Sequence, residues 1–150
     1  MLLILFEIGK ELYALAGRQI VEVVPYLLPQ KMPSHPNYVI GLINYRGIHV
    51  PVVDLCSFIT NEPCRQRLSS RIILINYPEH PHKSENNKII GLLAENITET
   101  VITPASWQPV EGKNKGKQYI PPEITGHKMV QWFDPYQFLS EHASLTDVLL

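Results

Sequence analysis

The segment that most constrains the fold is residues 36–55, in which two apolar runs flank one short polar turn. Residues 39–43 and 48–53 are rich in β-branched side chains, and Asn44-Tyr45-Arg46-Gly47 separates them. Because glycine readily adopts the positive φ that a tight turn needs, this pattern predicts a β-hairpin. An arginine at its tip can hold a carboxylate through two parallel hydrogen bonds. No nucleophile, base or phosphate cradle adjoins the turn, so the hairpin indicates an interaction site.

The rest of the chain predicts many short strands and few helices, which is typical of an all-β barrel or sandwich. Two groups of strands divide near residue 65, and each group is too small to form a comfortable core alone. We therefore expect two lobes that share a buried seam. The expected strands are residues 2–8, 11–16, 20–24, 39–43, 48–53, 72–77, 88–94, 97–102 and 128–133, with a polar loop at 78–87 and short helices at 55–60 and 134–141.

Composition and charge exclude several classes of function. A formal net charge of −1 gives no electrostatic argument for nucleic acid or a membrane surface. Lys113, Lys115 and Lys117 form the only basic cluster, which is typical of a solvated loop. Cys56 and Cys64 are eight positions apart, a spacing that fits neither a redox C-x-x-C motif nor half of a zinc site. We therefore expect two reduced thiols.

Motifs for catalysis or metal binding are weak throughout the chain. Residues 112–117 resemble a phosphate loop only superficially, because the glycine spacing is wrong and no helix is expected to follow. His80 and His82 lie on an expected exposed loop, and spacing places no second ligand pair near them, so we expect no metal site. We expect Trp107 and Trp132 to be core or seam residues, the alternative being a platform for base stacking.

Glu22 is the most informative carboxylate. It shares one face of a predicted strand with Ile20 and Val24, where an unpaired carboxylate would be costly if that face were buried. It lies either at an edge in water or paired with a base. Arg46 is the candidate base, and two independent surface charges are the alternative.

These residues carry a resemblance to the CheW family of chemotaxis coupling proteins, which extends from residue 6 to about residue 140. Residues 41–47, Arg71-Ile72 and Thr98-Glu99-Thr100 are most similar to the Wsp-type adaptors of surface-sensing pathways. The motifs that carry the family resemblance are Phe6-x-Ile8-Gly9-x-Glu11-x-Tyr13-Ala14-Leu15, Ile20-x-Glu22-Val23, Pro33-x-x-Pro36-x-x-Val39-x-Gly41-x-Ile43-Asn44-x-Arg46-Gly47, Val50-Pro51-Val52-x-Asp54-Leu55, Arg71-Ile72-Ile73 and Gly91-Leu92-Leu93.

The resemblance implies one domain over residues 1–150, built as two five-stranded, SH3-like β-barrels that share a hydrophobic seam. The first lobe would span about residues 10–65 and the second about 66–140, with the N-terminal strand and the C-terminal segment completing the seam. It implies no catalytic activity, no cofactor and no metal.

The implied function is that of an adaptor in a two-component chemotaxis pathway. Such an adaptor couples the cytoplasmic tip of a methyl-accepting chemoreceptor to the regulatory domain of a CheA-like histidine kinase. It is cytoplasmic and recruited to membrane receptor arrays, and docking onto the homologous kinase domain or onto other CheW copies can continue into rings. The alternative is a CheW-like scaffold in a surface-sensing or type IV pilus pathway with different partners.

The candidate partner-binding residues surround the predicted hairpin, and the resemblance supports placing Glu22 beside Arg46. An apolar groove between the lobes would suit the helical hairpin of a receptor tip. We assign Ile43, Val50 and Val52 to this groove, although alternation equally allows them to be ordinary core residues. The full set is Glu22, Gly41, Ile43, Asn44, Tyr45, Arg46, Gly47, Val50 and Val52.

Overall fold

The computed structural model describes residues 1–33, 36–80, 83–110, 117–127, 129–135 and 137–138. It confirms a mostly β fold with short helices. The strands are β1 (Leu2–Ile8), β2 (Glu11–Ala16), β3 (Ile20–Pro25), β4 (Val39–Tyr45), β5 (Ile48–Asp54), β6 (Arg71–His80), β7 (Lys83–Ala94), β8 (Asn96–Ile102), β9 (Tyr119–Ile120) and β10 (Val130–Trp132). A 3-10 helix covers Gly17–Gln19, and the α-helices are α1 (Leu55–Thr60) and α2 (Pro122–Thr125).

The strands form two five-stranded sheets, as expected for a pair of small barrels. The first sheet has the order β8-β1-β2-β10-β9, and the second has the order β3-β6-β7-β5-β4. The second sheet is thus built from the middle of the chain, whereas strands from both ends build the first. The second sheet contains strands from both sides of residue 65, because β6 pairs with β3 and β7 pairs with β5.

A shared hydrophobic core joins the two sheets and confirms the expected seam. Phe6, Ile8, Tyr13 and Leu15 of the first sheet lie in one buried cluster with β4 to β7 of the second. The rings of Phe6 and Tyr13 stack with centroids 5.9 Å apart, and the edge of Phe133 packs against both. Each sheet therefore covers an apolar face of the other, which neither has enough chain to do alone.

A smaller cluster fills the other face of the first sheet. Leu3 and Leu5 alternate with the seam residues along β1 and contact this second cluster. Trp107 and Trp132 pack against it, with ring centroids 6.0 Å apart in an edge-to-face arrangement. This confirms the prediction that the two tryptophans are packing residues.

The β6–β7 hairpin is longer than expected. The polar segment 78–87 was predicted as a loop, but β6 continues to His80, which pairs with Lys83 at the start of β7. Pairing of the backbone does not depend on apolar side chains, so a polar hairpin can extend beyond the core. The register shifts between Pro78 and His80, as expected where a proline cannot donate to the ladder.

Some expectations fall on residues outside those the structure describes. They concern Lys113, Lys115, the motif at residues 112–116, His82, and the end of the C-terminal helix. The start of that helix is described, and the Oδ1 atom of Asp134 accepts a hydrogen bond of 3.4 Å from the backbone N–H of Gln137. In the described ranges, no helix has the length and apolar character needed to cross a membrane.

The two cysteines form a disulfide, so the expectation of reduced thiols is wrong for this structure. Asp54 explains how they meet. Its carboxylate caps α1 by accepting from the backbone N–H of Ser57 at 3.1 Å, and it also accepts from that of Cys64 at 3.1 Å. One buried side chain thus folds residue 64 back onto the first turn of α1, where Cys56 lies. Spacing in the sequence does not reveal that return of the chain.

Candidate partner-binding surface

The predicted hairpin is present, and its turn is short. β4 and β5 pair from Val39 with Val53 to Tyr45 with Ile48, which leaves Arg46 and Gly47 as a two-residue turn. Both have positive φ, 49° and 82°, as the type I′ turns favoured in hairpins require. The Oδ1 atom of Asn44 accepts from the backbone N–H of Gly47 at 2.9 Å and closes the turn.

Glu22, Tyr45 and Arg46 form one polar cluster at this turn. The Tyr45 hydroxyl donates a hydrogen bond to the Oε2 atom of Glu22. The Nη2 atom of Arg46 lies 3.7 Å from the same oxygen, an ion-pair distance but longer than a hydrogen bond. The Arg46 guanidinium also lies 5.2 Å from the centroid of the Tyr45 ring. Glu22 and Arg46 are therefore neighbours as expected, but Tyr45 makes the hydrogen bond that was expected of Arg46.

The cluster joins the two edges of the second sheet. Glu22 lies on β3 and Tyr45 ends β4, and these are the outermost strands in the order β3-β6-β7-β5-β4. The side-chain contact therefore links edges that have no backbone pairing to each other in this order. Because the side chains of Arg46 and Glu22 are 77% and 42% exposed, this link leaves charged groups available to a partner.

Electrostatics at the cluster favour the neutral phenol. The hydrogen bond to the Glu22 carboxylate raises the pKa of Tyr45, and the Arg46 guanidinium opposes part of that rise. Tyr45 therefore stays a donor to Glu22. The arrangement can present a guanidinium, a carboxylate and an aromatic ring together to a partner.

The three aliphatic residues assigned to a receptor groove are in the core instead. Ile43 is 5% exposed, and Val50 and Val52 are fully covered. Ile43 pairs with Val50 across the hairpin, so their side chains share one face, and that face packs into the seam cluster. The alternative that alternation allowed, ordinary core residues, describes them in this chain.

Gly41 has a structural role that explains its place in the motif. Its φ is +139°, and a Cβ atom there would lie 2.2 Å from the carbonyl oxygen of Gln30. Gln30 and Leu42 exchange two backbone hydrogen bonds of 2.8 and 2.9 Å, which attach the connection between β3 and β4 to the edge of β4. Gly41 is buried and therefore supports the hairpin without reaching a partner directly.

The sequence reasoning missed one exposed apolar residue beside the cluster. Ile48 follows the turn, pairs with Tyr45 across the hairpin and is 52% exposed. A two-residue turn at Arg46-Gly47 places Ile48 directly opposite Tyr45. The sequence would therefore have predicted this position if that turn length had been assumed. We call Glu22, Tyr45, Arg46 and Ile48 the hairpin-tip surface.

Among the described residues, one group has the composition of a metal site. The potential ligand atoms of Asp54, Cys56 and Cys64 all lie within 4.8 Å of one another, and all three residues are buried. Both sulfurs are in the disulfide, however, so neither is a thiolate that could bind a cation. In this structure the group stabilises the chain around α1.

Comparisons with known proteins agree with this architecture. A family model described as a CheW-like domain matches residues 2–143. Chemotaxis protein CheW of Helicobacter pylori is 28% identical over 96 residues, which is 64% of this chain and 53% of that protein. Chemotaxis protein CheW of Bacillus subtilis is 29% identical over 75 residues, which is 50% of this chain and 48% of that protein. The matched segments thus cover about half the length of these two relatives.

A solved structure has the same fold. The scaffolding protein TtCheW from Thermoanaerobacter tengcongensis superposes with a TM-score of 0.67 at 22% identity, covering 90% of this chain and 84% of that one. At this identity the likeness concerns the fold, whereas the family model covers nearly every residue from the first strand onward. The chain belongs to the CheW family, as a CheW-like domain over residues 2–143.

Proposed function

We propose that this chain is a non-catalytic adaptor that couples a methyl-accepting chemoreceptor to a CheA-type histidine kinase in chemotaxis-like signal transduction. The observation that carries the proposal is the match of the CheW-like family model to residues 2–143. In support, relatives of the chain are named as chemotaxis proteins, and a protein of the same fold is named as a scaffolding protein. The adaptor would act in the cytoplasm, at membrane receptor arrays.

The hairpin-tip surface suits one of the two contacts that such an adaptor makes. Tyrosine and arginine are enriched among residues that dominate the binding energy of interfaces, and here they adjoin the exposed aliphatic side chain of Ile48. Arg46 is largely exposed and has five N–H donors, so it can bind a partner's carboxylate while staying near Glu22. We propose that this surface contacts one of the two signalling partners.

The receptor and the kinase become coupled if both bind the same rigid body. The seam cluster packs the two sheets against each other, so a contact on one sheet is fixed relative to a contact on the other. A receptor state that changes its own contact then changes the affinity for the kinase or its activity, which is a coupling free energy between two sites. No chemistry on the adaptor is needed.

A reconstituted phosphotransfer assay tests the proposal. The kinase and the receptor's cytoplasmic fragment, both from the organism that makes this chain, are mixed with and without the full chain. We expect kinase autophosphorylation to depend on receptor state only when the chain is present. Turnover of any phosphate compound by the chain alone, or equal kinase rates with and without it, would contradict the proposal.

Two variants then test the surface. Arg46→Ala and Glu22→Gln should weaken binding to one partner while the melting temperature changes little, because exposed pairs contribute only about 0–1 kcal/mol to stability. Lys10→Ala is the matched control, since Lys10 is an exposed cation in the turn between β1 and β2 of the other sheet. If the chain instead captures pilus-pathway or surface-sensing partners and ignores the chemotaxis pair, the scaffold alternative applies.

A further inference from the structure

We propose that Cys56–Cys64 is a reversible redox site. A dithiol reductant attacks the Sγ atom of Cys64 from the adjoining cleft, and reduction loosens the connection of residues 61–70 from the body of the domain. This proposal concerns a part of the molecule outside the hairpin-tip surface and does not depend on the adaptor function.

The disulfide is the covalent tie between this connection and the rest of the domain. Residues 61–70 run from the end of α1 to the start of β6, and most of them are exposed. Besides the disulfide, hydrogen bonds fasten the connection. They include Cys64 N–H to both carboxylate oxygens of Asp54, Arg65 N–H to Glu95 at 3.4 Å, Ser69 hydroxyl to the backbone oxygen of Glu95 at 3.2 Å, and the side-chain amide of Gln66 to the Tyr26 hydroxyl at 3.1 Å. Such bonds contribute about 0.5–3 kcal/mol each, so loss of the covalent tie would loosen the connection without releasing it from Asp54.

The two sulfurs differ in access. A cleft of about 420 Å³ opens beside the connection, and Cys64 is one of the residues that line it. Cys56 is 1% exposed and is not among the residues that line this cleft, whereas Cys64 is 6% exposed. In thiol exchange the attacking sulfur approaches one sulfur of the disulfide in line with the bond, so that sulfur must be accessible. Further lining residues are Tyr26, Leu28, Met32, Pro63 and Gln66.

The charges around Cys56 determine how the exchange proceeds. Its Sγ atom lies 3.8 Å from the Oε1 atom of Glu95, and the carboxylate of Asp54 lies within 4.8 Å of both sulfurs. Two carboxylates disfavour a third negative charge beside them, so Cys56 must gain a proton as it leaves. Thiol exchange at this site is therefore slower than exchange at a disulfide in a cationic environment. It produces two stable thiols rather than a reactive thiolate.

The chemical step balances with a dithiol as the named co-reactant. One thiolate of the reductant attacks the Cys64 sulfur, the bond between the two protein sulfurs breaks, and Cys56 leaves and takes a proton. The second thiolate of the reductant attacks the mixed disulfide and releases Cys64, which takes a second proton. Two electrons and two protons reach the protein, and the reductant becomes an intramolecular disulfide.

Reduction would change the wall of the cleft. Pro63, Cys64 and Gln66 line it, and the Gln66 side chain donates a hydrogen bond to Tyr26, which also lines it. Without the covalent tie, this wall is held by the Asp54 contact and the Tyr26 contact. The oxidised chain therefore has a fixed cleft and the reduced chain a looser one.

The experiment uses the full chain and compares its oxidised form with the form reduced by dithiothreitol under native conditions. We expect two thiols to appear while the tryptophan fluorescence stays native, and oxidised glutathione to restore the disulfide. Trypsin should then cleave after Arg65 and Arg67, in the freed connection, about tenfold faster in the reduced form. Cleavage after Lys10, in the first sheet, should not change and serves as the internal control. A brief pulse of reduced glutathione should leave the mixed disulfide on Cys64.

Several results would overturn the proposal. They are thiols that appear only after unfolding in denaturant, equal cleavage after Arg65 and Arg67 in both forms, or a glutathione adduct on Cys56. If the reduced chain proves unstable, the Cys56→Ser/Cys64→Ser variant replaces it. Faster cleavage at the connection in this folded variant supports the proposal, and cleavage at the oxidised rate rejects it.

Discussion

Two glycines of one hairpin provide a sharp test of the structure. Gly41 and Gly47 both have positive φ, +139° and +82°. A Cβ atom at Gly41 would lie 2.2 Å from the Gln30 oxygen and 2.8 Å from its carbonyl carbon, whereas a Cβ atom at Gly47 would meet nothing within 4 Å. Alanine at these two positions therefore isolates steric exclusion from backbone strain.

The magnitudes follow from the contacts. Gly41→Ala must separate β4 from Gln30, which loses two backbone hydrogen bonds worth about 1 kcal/mol each and strains the backbone by about 1–3 kcal/mol. We expect a loss of about 3–5 kcal/mol in the free energy of unfolding. Gly47→Ala adds a left-handed penalty of about 1–2 kcal/mol, partly offset by about 0.4–1 kcal/mol from the less flexible unfolded chain. The expected net loss at Gly47 is about 1 kcal/mol.

Urea unfolding followed by tryptophan fluorescence measures both losses, provided that the slope with denaturant stays constant between variants. Partner binding is then measured on the folded fraction. We expect Gly47→Ala, and more strongly Gly47→Val with its β-branched side chain, to weaken binding beyond their effect on stability. A loss below about 1 kcal/mol for Gly41→Ala, or equal losses for the two alanine variants, would refute the close approach of Gln30 to β4.

Three further predictions concern single residues. Ile43→Ser should lower the free energy of unfolding by about 3–5 kcal/mol and abolish both partner contacts together, because the side chain is buried in the seam. Selective loss of receptor binding at an unchanged melting temperature would contradict this. Burial and the Glu11 carboxylate raise the pKa of Tyr13 from 10.0 to about 12, so the native state keeps a proton that the unfolded state releases between those pH values. Stability is therefore full below pH 10.0 and falls as the pH rises towards 12; Tyr13→Phe should flatten that fall in pH-dependent urea titrations, and an unchanged slope would count against it. Asp54→Ala should cost about 1–3 kcal/mol in thermal or urea unfolding, and Asp54→Asn, which keeps one acceptor oxygen, should cost less; equal costs would reject the hydrogen-bonding role.

Local patterns predicted much of the fold. The hairpin around Arg46 was readable because alternation and a Gly-containing turn are encoded within a dozen neighbouring residues. The helix expected at residues 55–60 is also a local feature, since Asp54 caps it and a capping side chain acts on residues two or three positions away. Glu22 was expected either at an edge in water or paired with a base, and it lies on an edge strand, 42% exposed, with Tyr45 and Arg46 beside it.

Long-range features escaped the sequence because they depend on which strands meet. Nothing local to residue 65 indicates that β6 returns to pair with β3, so the sequence does not reveal that one sheet contains strands from both sides of that point. The Cys56–Cys64 disulfide escaped for a similar reason. The hydrogen bond from the Cys64 backbone to Asp54 closes the distance, and a spacing of eight residues carries no sign of it.

The hairpin places two kinds of residue side by side, and this determines how its mutations should be interpreted. Arg46 and Glu22 are exposed, so their removal costs little folding energy, and a loss of signalling in such variants reports on a partner contact. Ile43 and Gly41 are buried next to them and stabilise the seam and the β4 edge. A loss of signalling in variants of these two residues reports first on folding. Binding data for the hairpin therefore locate an interface only after each value is compared with the stability of the same variant.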